Sequence, residues 1–121
     1  MAEKSNMDEI TLPEFTKEDK FIHQSARLRL ISLLYVIEEA DYVFLKTQTG
    51  LTWGNLSSHM DRLEERGYVE VTKQFKKKKS SGKKVPQTSA KLTAKGRKLF
   101  DAYREKIKEM EKLLEKAPES T

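Results

Sequence analysis

Asn55, Ser58 and Arg62 lie three to four residues apart in a polar stretch. Shortly after them, seven lysines crowd into KQFKKKKSSGKK between Lys73 and Lys84. These residue types divide one kind of work. An Asn amide both donates and accepts and can pair with adenine, an Arg fork fits guanine, and Ser adapts to either. Lysine ammonium groups neutralise phosphates whatever the sequence. On a chain terminus such a run would be a loose electrostatic tether. Between two stretches patterned as strands it is held at the tip of a hairpin and aimed at something anionic. Residues 68–98 carry eleven bases against one acid, so the whole basic excess lies in one quarter of the chain and the rest is acidic on balance, for a net charge of +5.

The elements that must hold these groups follow from spacing and capping. Thr52 is a good N-cap, and Leu56, Met60 and Leu63 recur at i, i+4 and i+7, the core stripe of an amphipathic helix. At ~100° per residue, the outward positions are Gly54, Ser58, Asp61 and Glu65, with Asn55, Ser57 and Arg62 on the shoulders. The first turns are small or polar, and the acids Asp61, Glu64 and Glu65 come later. Alone, this helix reads equally well as an ordinary capped surface helix; the basic hairpin tips the reading to DNA. Gly67 ends it. Tyr68 to Phe75 alternates with Val69, Val71 and Phe75 on one face, Ser80-Ser81-Gly82 turns the chain, and Val85 to Leu92 returns. Pro86 belongs at the start of that strand or on an edge.

Upstream, Thr16 and Asp19 form a capping-box pattern before a short helix with Phe21 and Ile22. Ser25 is the expected cap of the next helix, which spaces Leu28, Ile31, Leu34 and Tyr35 as a core face. Tyr42-Val43-Phe44 reads either as a short strand or as the entry to a second helix that Gly50 must end. Two helices joined across Gly50-Leu51-Thr52 have helix–turn–helix spacing. Trp53 is expected as a partly buried anchor against a neighbouring helix. His59 could bond a phosphate or close the edge of the core, and Arg27 and Arg29 read as mostly solvated surface, with a phosphate contact as the lesser alternative.

The remaining features set bounds. A chain of 121 residues makes one domain. With no cysteine, disulfides and thiolate chemistry are excluded. His23 and His59 are the only histidines and stand apart from any carboxylate cluster, so neither a metal nor another cofactor is expected. No nucleophile elbow, zinc-hydrolase signature or phosphate-binding glycine loop is present, so no catalytic residue is assigned and an enzyme is the weakest reading. The absence of a signal-like or membrane-spanning apolar run gives the expectation of a cytoplasmic protein with no membrane partner.

Thr93 caps a last helix reaching about Lys116. Phe100, Tyr103, Ile107, Met110 and Leu114 step 3-4-3-4, a heptad seam with charged flanks. A helix of ~24 residues is ~36 Å long, more than so small a core covers. Pairing with a second copy is therefore expected, with Phe15, Phe21 and Ile22 joining.

The order of SARLRLISLL, DYVFLKTQTGLTWGNLSSHMDRLEERGYVEV, a basic hairpin and LTAKGRKLFDAYREKI resembles the small winged-helix DNA-binding regulators related to the MarR and ArsR families. The resemblance covers about residues 21–110. It implies a homodimer on palindromic DNA, the third helix in the major groove and the wing on the backbone or minor groove. Carried over by position, it puts base or backbone contacts at Thr52, Trp53, Gly54, Asn55, Ser58, His59 and Arg62. Wing contacts fall to Lys76, Lys77, Lys78, Lys79, Lys83 and Lys84. Asp61 departs from the family, where a base is frequent, and Ala90 stands where an aromatic is common, which predicts a looser wing base. The metal ligands of ArsR-type relatives are absent. A small-molecule effector pocket is allowed by analogy, though no residue demands one.

The expected fold is α+β, mostly α: a winged helix–turn–helix over 16–98 after a flexible segment 1–15, with a C-terminal dimerisation helix and tail over 99–121. The expected function is sequence-specific regulation of transcription on double-stranded DNA, read by a helix at about 52–66. The alternative is a winged helix used for protein–protein contact or for non-specific nucleic-acid binding.

Overall fold

The computed structural model describes residues 10–119. The expectation for the first nine residues of the N-terminal segment lies outside the described residues. The chain runs α1 (Lys17–Ile22), α2 (Ser25–Ile37), β1 (Glu39–Asp41), α3 (Tyr42–Thr49), α4 (Trp53–Glu65), β2 (Val69–Lys77), β3 (Lys84–Leu92) and α5 (Ala94–Leu114). This is a winged helix.

Capping chemistry sets most boundaries. The Thr16–Asp19 box closes reciprocally around the first turn of α1. The hydroxyls of Thr52 and Thr93 accept from the amides of Asn55 and Gly96 at the starts of α4 and α5. Gly50, at φ +70°, ends α3 in a left-handed turn that a β-carbon would strain. The cap of α2 is Gln24 rather than Ser25: the Gln24 side chain accepts from the Arg27 amide, which moves Ser25 inside the helix.

Of the two readings open for Tyr42-Val43-Phe44, helix entry is the one observed. A strand is present as well, but it occupies Glu39–Asp41, and Tyr42 begins α3 directly after it. The sheet order is β1-β3-β2, all antiparallel, so the returning strand of the hairpin is central. Pro86 is tolerated there because β1 pairs only with Ser89 to Lys91; at Pro86, β3 still has one open side.

The core gathers Ile22, Leu30, Ile31, Leu34, Leu45, Leu56, Met60, Leu63, Val69, Phe100 and Tyr103. Ala90 is buried in it, facing Ala40 on one side and Val71 on the other. This corrects the expected loose wing base: the small side chain lets three strands close over the helices. Phe75, on the same alternating face as Val69 and Val71, is 73% exposed, because the hairpin has left the core by that point.

The seam expected for dimerisation is split. Ile22, Phe100 and Tyr103 are buried within this chain and form no part of its surface. Phe15 packs on His23 and Tyr103, and Phe21 on Tyr68. Ile107 and Met110 are half-buried, and Leu114 is 72% exposed. The middle of α5 is tied down further by Lys106, which pairs with the buried Asp19 carboxylate of α1. Burial pushes the Asp19 pKa up, but bonds from Lys106 and from the Thr16 backbone and hydroxyl outweigh it, and the net position is below the usual value.

Candidate nucleic-acid interface

α4 rests on Leu56, Met60 and Leu63, which are fully buried. Thr52, Trp53, Gly54, Asn55, Ser58 and Arg62 are all exposed and His59 is half-buried, so the proposed contact set lies on one accessible side of the helix. No atom approaches within 4 Å of where a Gly54 β-carbon would stand. The surface over the first turn is open to the close approach of a large partner.

Trp53 differs from its expectation. It is 54% exposed, and its contact with α3 is a cation–π approach of Lys46, whose Nζ lies 5.3 Å from the ring centroid. Its rim lies on an open cleft of about 540 Å³ between α4 and the wing, which Tyr42, Ser57, Asp61, Glu64, Val71, Lys73 and Gln87 also line. Tyr42 is pushed up to about 12, by burial first and then by Asp61 and Glu64. The two acids therefore face the base of the wing rather than straight outward.

The opposite flank of α4 is cationic, and here the sequence reading of Arg27 fails. Arg27 is half-buried, not a solvated surface group. Its Nε donates to the Phe21 carbonyl at 2.7 Å, and its guanidinium carbon lies 4.3 Å from the Phe21 ring centroid. Arg66, just past α4, lies 3.8 Å from the same centroid. Arg27 Nη1 donates to His59 Nδ1 at 3.5 Å. Burial, then the charges of Arg27 and Arg62, hold His59 below its usual pKa, which favours the neutral ring that can accept from Arg27. Arg66 is absent from the contact set that the sequence suggests. Its only signal there is its position four residues after Arg62, on the same helical face.

The hairpin carries Lys76, Lys77, Lys78, Lys79, Lys83 and Lys84 on exposed positions. The strands pair from Val69↔Leu92 to Lys77↔Lys84, which sets two ammonium groups directly opposite each other at the tip. Like charges so placed repel; an anion between them removes the cost. The Lys78 amide donates to the Lys83 carbonyl and the Gly82 amide to the Lys78 carbonyl, each at 2.8 Å, closing the loop. Among the described residues there is no group of three or more histidines and acids able to hold a metal ion, and no helix long and apolar enough to cross a membrane.

A family model described as the winged helix DNA-binding domain matches residues 26–112. The chain belongs to this family. It is 36% identical over 96 residues to an uncharacterized protein of Methanocaldococcus jannaschii, covering 79% of this chain and 98% of that protein. Its winged helix is similar to that of a transcriptional regulator homologue from Pyrococcus horikoshii (TM-score 0.61, 21% identity), covering 95% and 96% of the two chains. It is also similar to a MarR variant from E. coli solved with operator DNA (TM-score 0.53, 16% identity), covering 84% and 75%. These two likenesses concern the fold.

Proposed function

We propose that this winged-helix protein is a sequence-specific transcriptional regulator that binds double-stranded DNA as a homodimer. In this reading α4 enters the major groove and the lysine-tipped hairpin lies on the backbone or in the adjacent minor groove. The observation that carries it is the pairing of two unlike surfaces: the exposed, mostly small and polar first turns of α4, and, across the cleft from that helix, a hairpin whose tip bears exposed lysines and no acid. The first can read base edges, and the second supplies affinity that is the same at every sequence. Base reading falls to Thr52, Asn55 and Ser58, with Gly54 leaving room for close approach, and backbone contact to the six wing lysines. Pairing of two chains falls to the apolar stripe of α5 beyond the core, at Ile107, Met110 and Leu114, which nothing in this chain fully covers. The solved complex of the E. coli MarR variant with operator DNA supports the same use of this fold.

Selection of bound fragments from random duplex DNA tests the reading. The expected result is an enriched inverted repeat whose half-sites lie about one helical turn apart. Recovery of no motif sinks the specific reading in favour of non-specific nucleic-acid binding or protein contact. Within an enriched site, Asn55→Ala should cost roughly 1–3 kcal/mol of discrimination at one base position. Equal weakening on every sequence would remove Asn55 from base reading.

A further inference from the structure

The cationic flank of α4 is not explained by the fold. Arg27, from the first turn of α2, and Arg66, just past α4, converge on Phe21; Arg27 also meets His59, and the charge of Arg62 acts on both Arg27 and His59. Each guanidinium raises the cost of the others; burial and then the charges of Arg62 and Arg66 lower the pKa of Arg27. Among the described residues the ion pairs join Lys91 to Glu70, Lys106 to Asp19 and Lys108 to Glu105, and none takes up these three arginines. A like-charged group gathered without a counter-ion is a site prepared for an anion.

Its geometry narrows the anion. At ~100° per residue, Ser57, Asp61 and Glu64 lie on one flank of α4 and His59, Arg62 and Arg66 on nearly the opposite one, with the outward positions between. The first flank meets the wing cleft, and the second meets Phe21 and Arg27. Arg27 is fixed through its Nε and its contact with His59, and Arg66 is stacked on the Phe21 ring. Stacked guanidinium groups keep N–H donors in a fixed planar fork, which suits phosphate oxygens. The positive end of the thirteen-residue helix α2 lies at the same place.

We propose that Arg27, Arg62 and Arg66 form a second phosphate clamp, which grips the duplex backbone on the side of the reading helix away from the wing. The assignment rests on the DNA-binding reading above and deepens it. The helix is then seated between two backbone grips, and Arg62 positions rather than reads. Phe21 and His59 hold the clamp in shape, and the wing cleft with Asp61 and Glu64 stays clear of phosphate.

Binding of the full chain to a mixed-sequence duplex over a range of salt concentrations tests this. Arg66→Gln and Arg27→Gln should each flatten the slope of log K against log salt by roughly 0.9 for every phosphate that is no longer neutralised. Neither should change the order of preference among sequences. Lys108→Gln removes the same charge from the far part of α5 and should leave the slope where it was. Arg66 is exposed, so its substitution leaves the core intact; a matching urea midpoint for Arg27→Gln excludes unfolding as the cause. If both arginine variants keep the wild-type slope while the wild type binds duplex, the clamp is overturned and the DNA reading stands. If the wild type binds no duplex at any salt, both fall. A change of sequence preference in Arg62→Gln, with an unchanged slope, returns Arg62 to base reading and overturns its place in the clamp.

Discussion

The hairpin and α5 share one junction and part from it in opposite ways. At the junction the polar groups are occupied. The Thr93 amide donates to the Tyr68 carbonyl at 3.0 Å, and its hydroxyl donates to the Gly67 carbonyl at 2.6 Å. Gly96 lies so close to the Tyr68 carbonyl that a β-carbon would overlap it. At the far ends the picture is reversed: the wing tip is lysine on open strands, and the last turns of α5 expose Leu114. The contrast separates residues that make the fold from residues the fold merely presents. Substitutions at the junction should cost stability, and substitutions at the tips should cost binding alone.

The largest expected effect sharpens the junction side. Gly96→Ala forces a methyl against the Tyr68 carbonyl and brings it to 2.9 Å from Leu92 Cδ1. Backbone cannot yield as a side chain does, so the destabilisation should exceed about 3 kcal/mol. Urea unfolding measures it, and an unchanged midpoint would show that the junction is not tight.

Next comes the tie between α1 and α5. Asp19→Asn removes the partner of Lys106 and should cost about 2 kcal/mol, below the range for fully buried pairs because Lys106 is partly exposed. Because the Asp19 pKa is lowered on folding, the unfolded chain binds more protons in that window. Its contribution is complete above the ordinary carboxylate range, about pH 4, and is lost as pH falls through the folded value. Urea midpoints at neutral and acid pH should therefore differ less in Asp19→Asn than in the wild type.

The smallest effect on stability, and the strongest test of the comparison, lies at the wing tip. Replacing Lys76, Lys77, Lys78 and Lys79 together by Gln should change stability by no more than about 0.5 kcal/mol. The same change should flatten the salt dependence of duplex binding by roughly 0.9 for each phosphate the wing no longer neutralises. A large fall in the urea midpoint would mean that the tip belongs to the fold after all.

Much of this division was legible in the sequence because it rests on local rules. Thr52, Thr93 and the Thr16–Asp19 box announce helix starts through their own chemistry, and Leu56, Met60 and Leu63 announce a buried face through their spacing. The lysine hairpin needed only its flanking alternation and its turn residues. What was hidden depends on neighbours distant in sequence. Arg27 looked solvated because no local pattern shows that Phe21, across the break between α1 and α2, or His59, 32 residues on, will meet it. The exposure of Phe75 was not legible either, because alternation does not tell where a strand leaves its core. Phe100 and Tyr103 fitted a pairing seam as well as a core, since both uses want the same apolar period. The three-residue strand β1 was too short to announce itself, and only its pairing with β3 defines it.

Asp41, at the end of that strand, has a consequence for how the molecule would search DNA. One carboxylate oxygen accepts from the Phe44 amide at 2.7 Å and so caps α3; the other accepts from Gln87 Nε2 at 2.9 Å, on the returning strand of the hairpin. Strand β1 runs into α3 with no residue between them. The base of the wing and the first helix of the helix–turn–helix are thus joined through one side chain. Sliding along the phosphates and testing the bases would then be strokes of one lever.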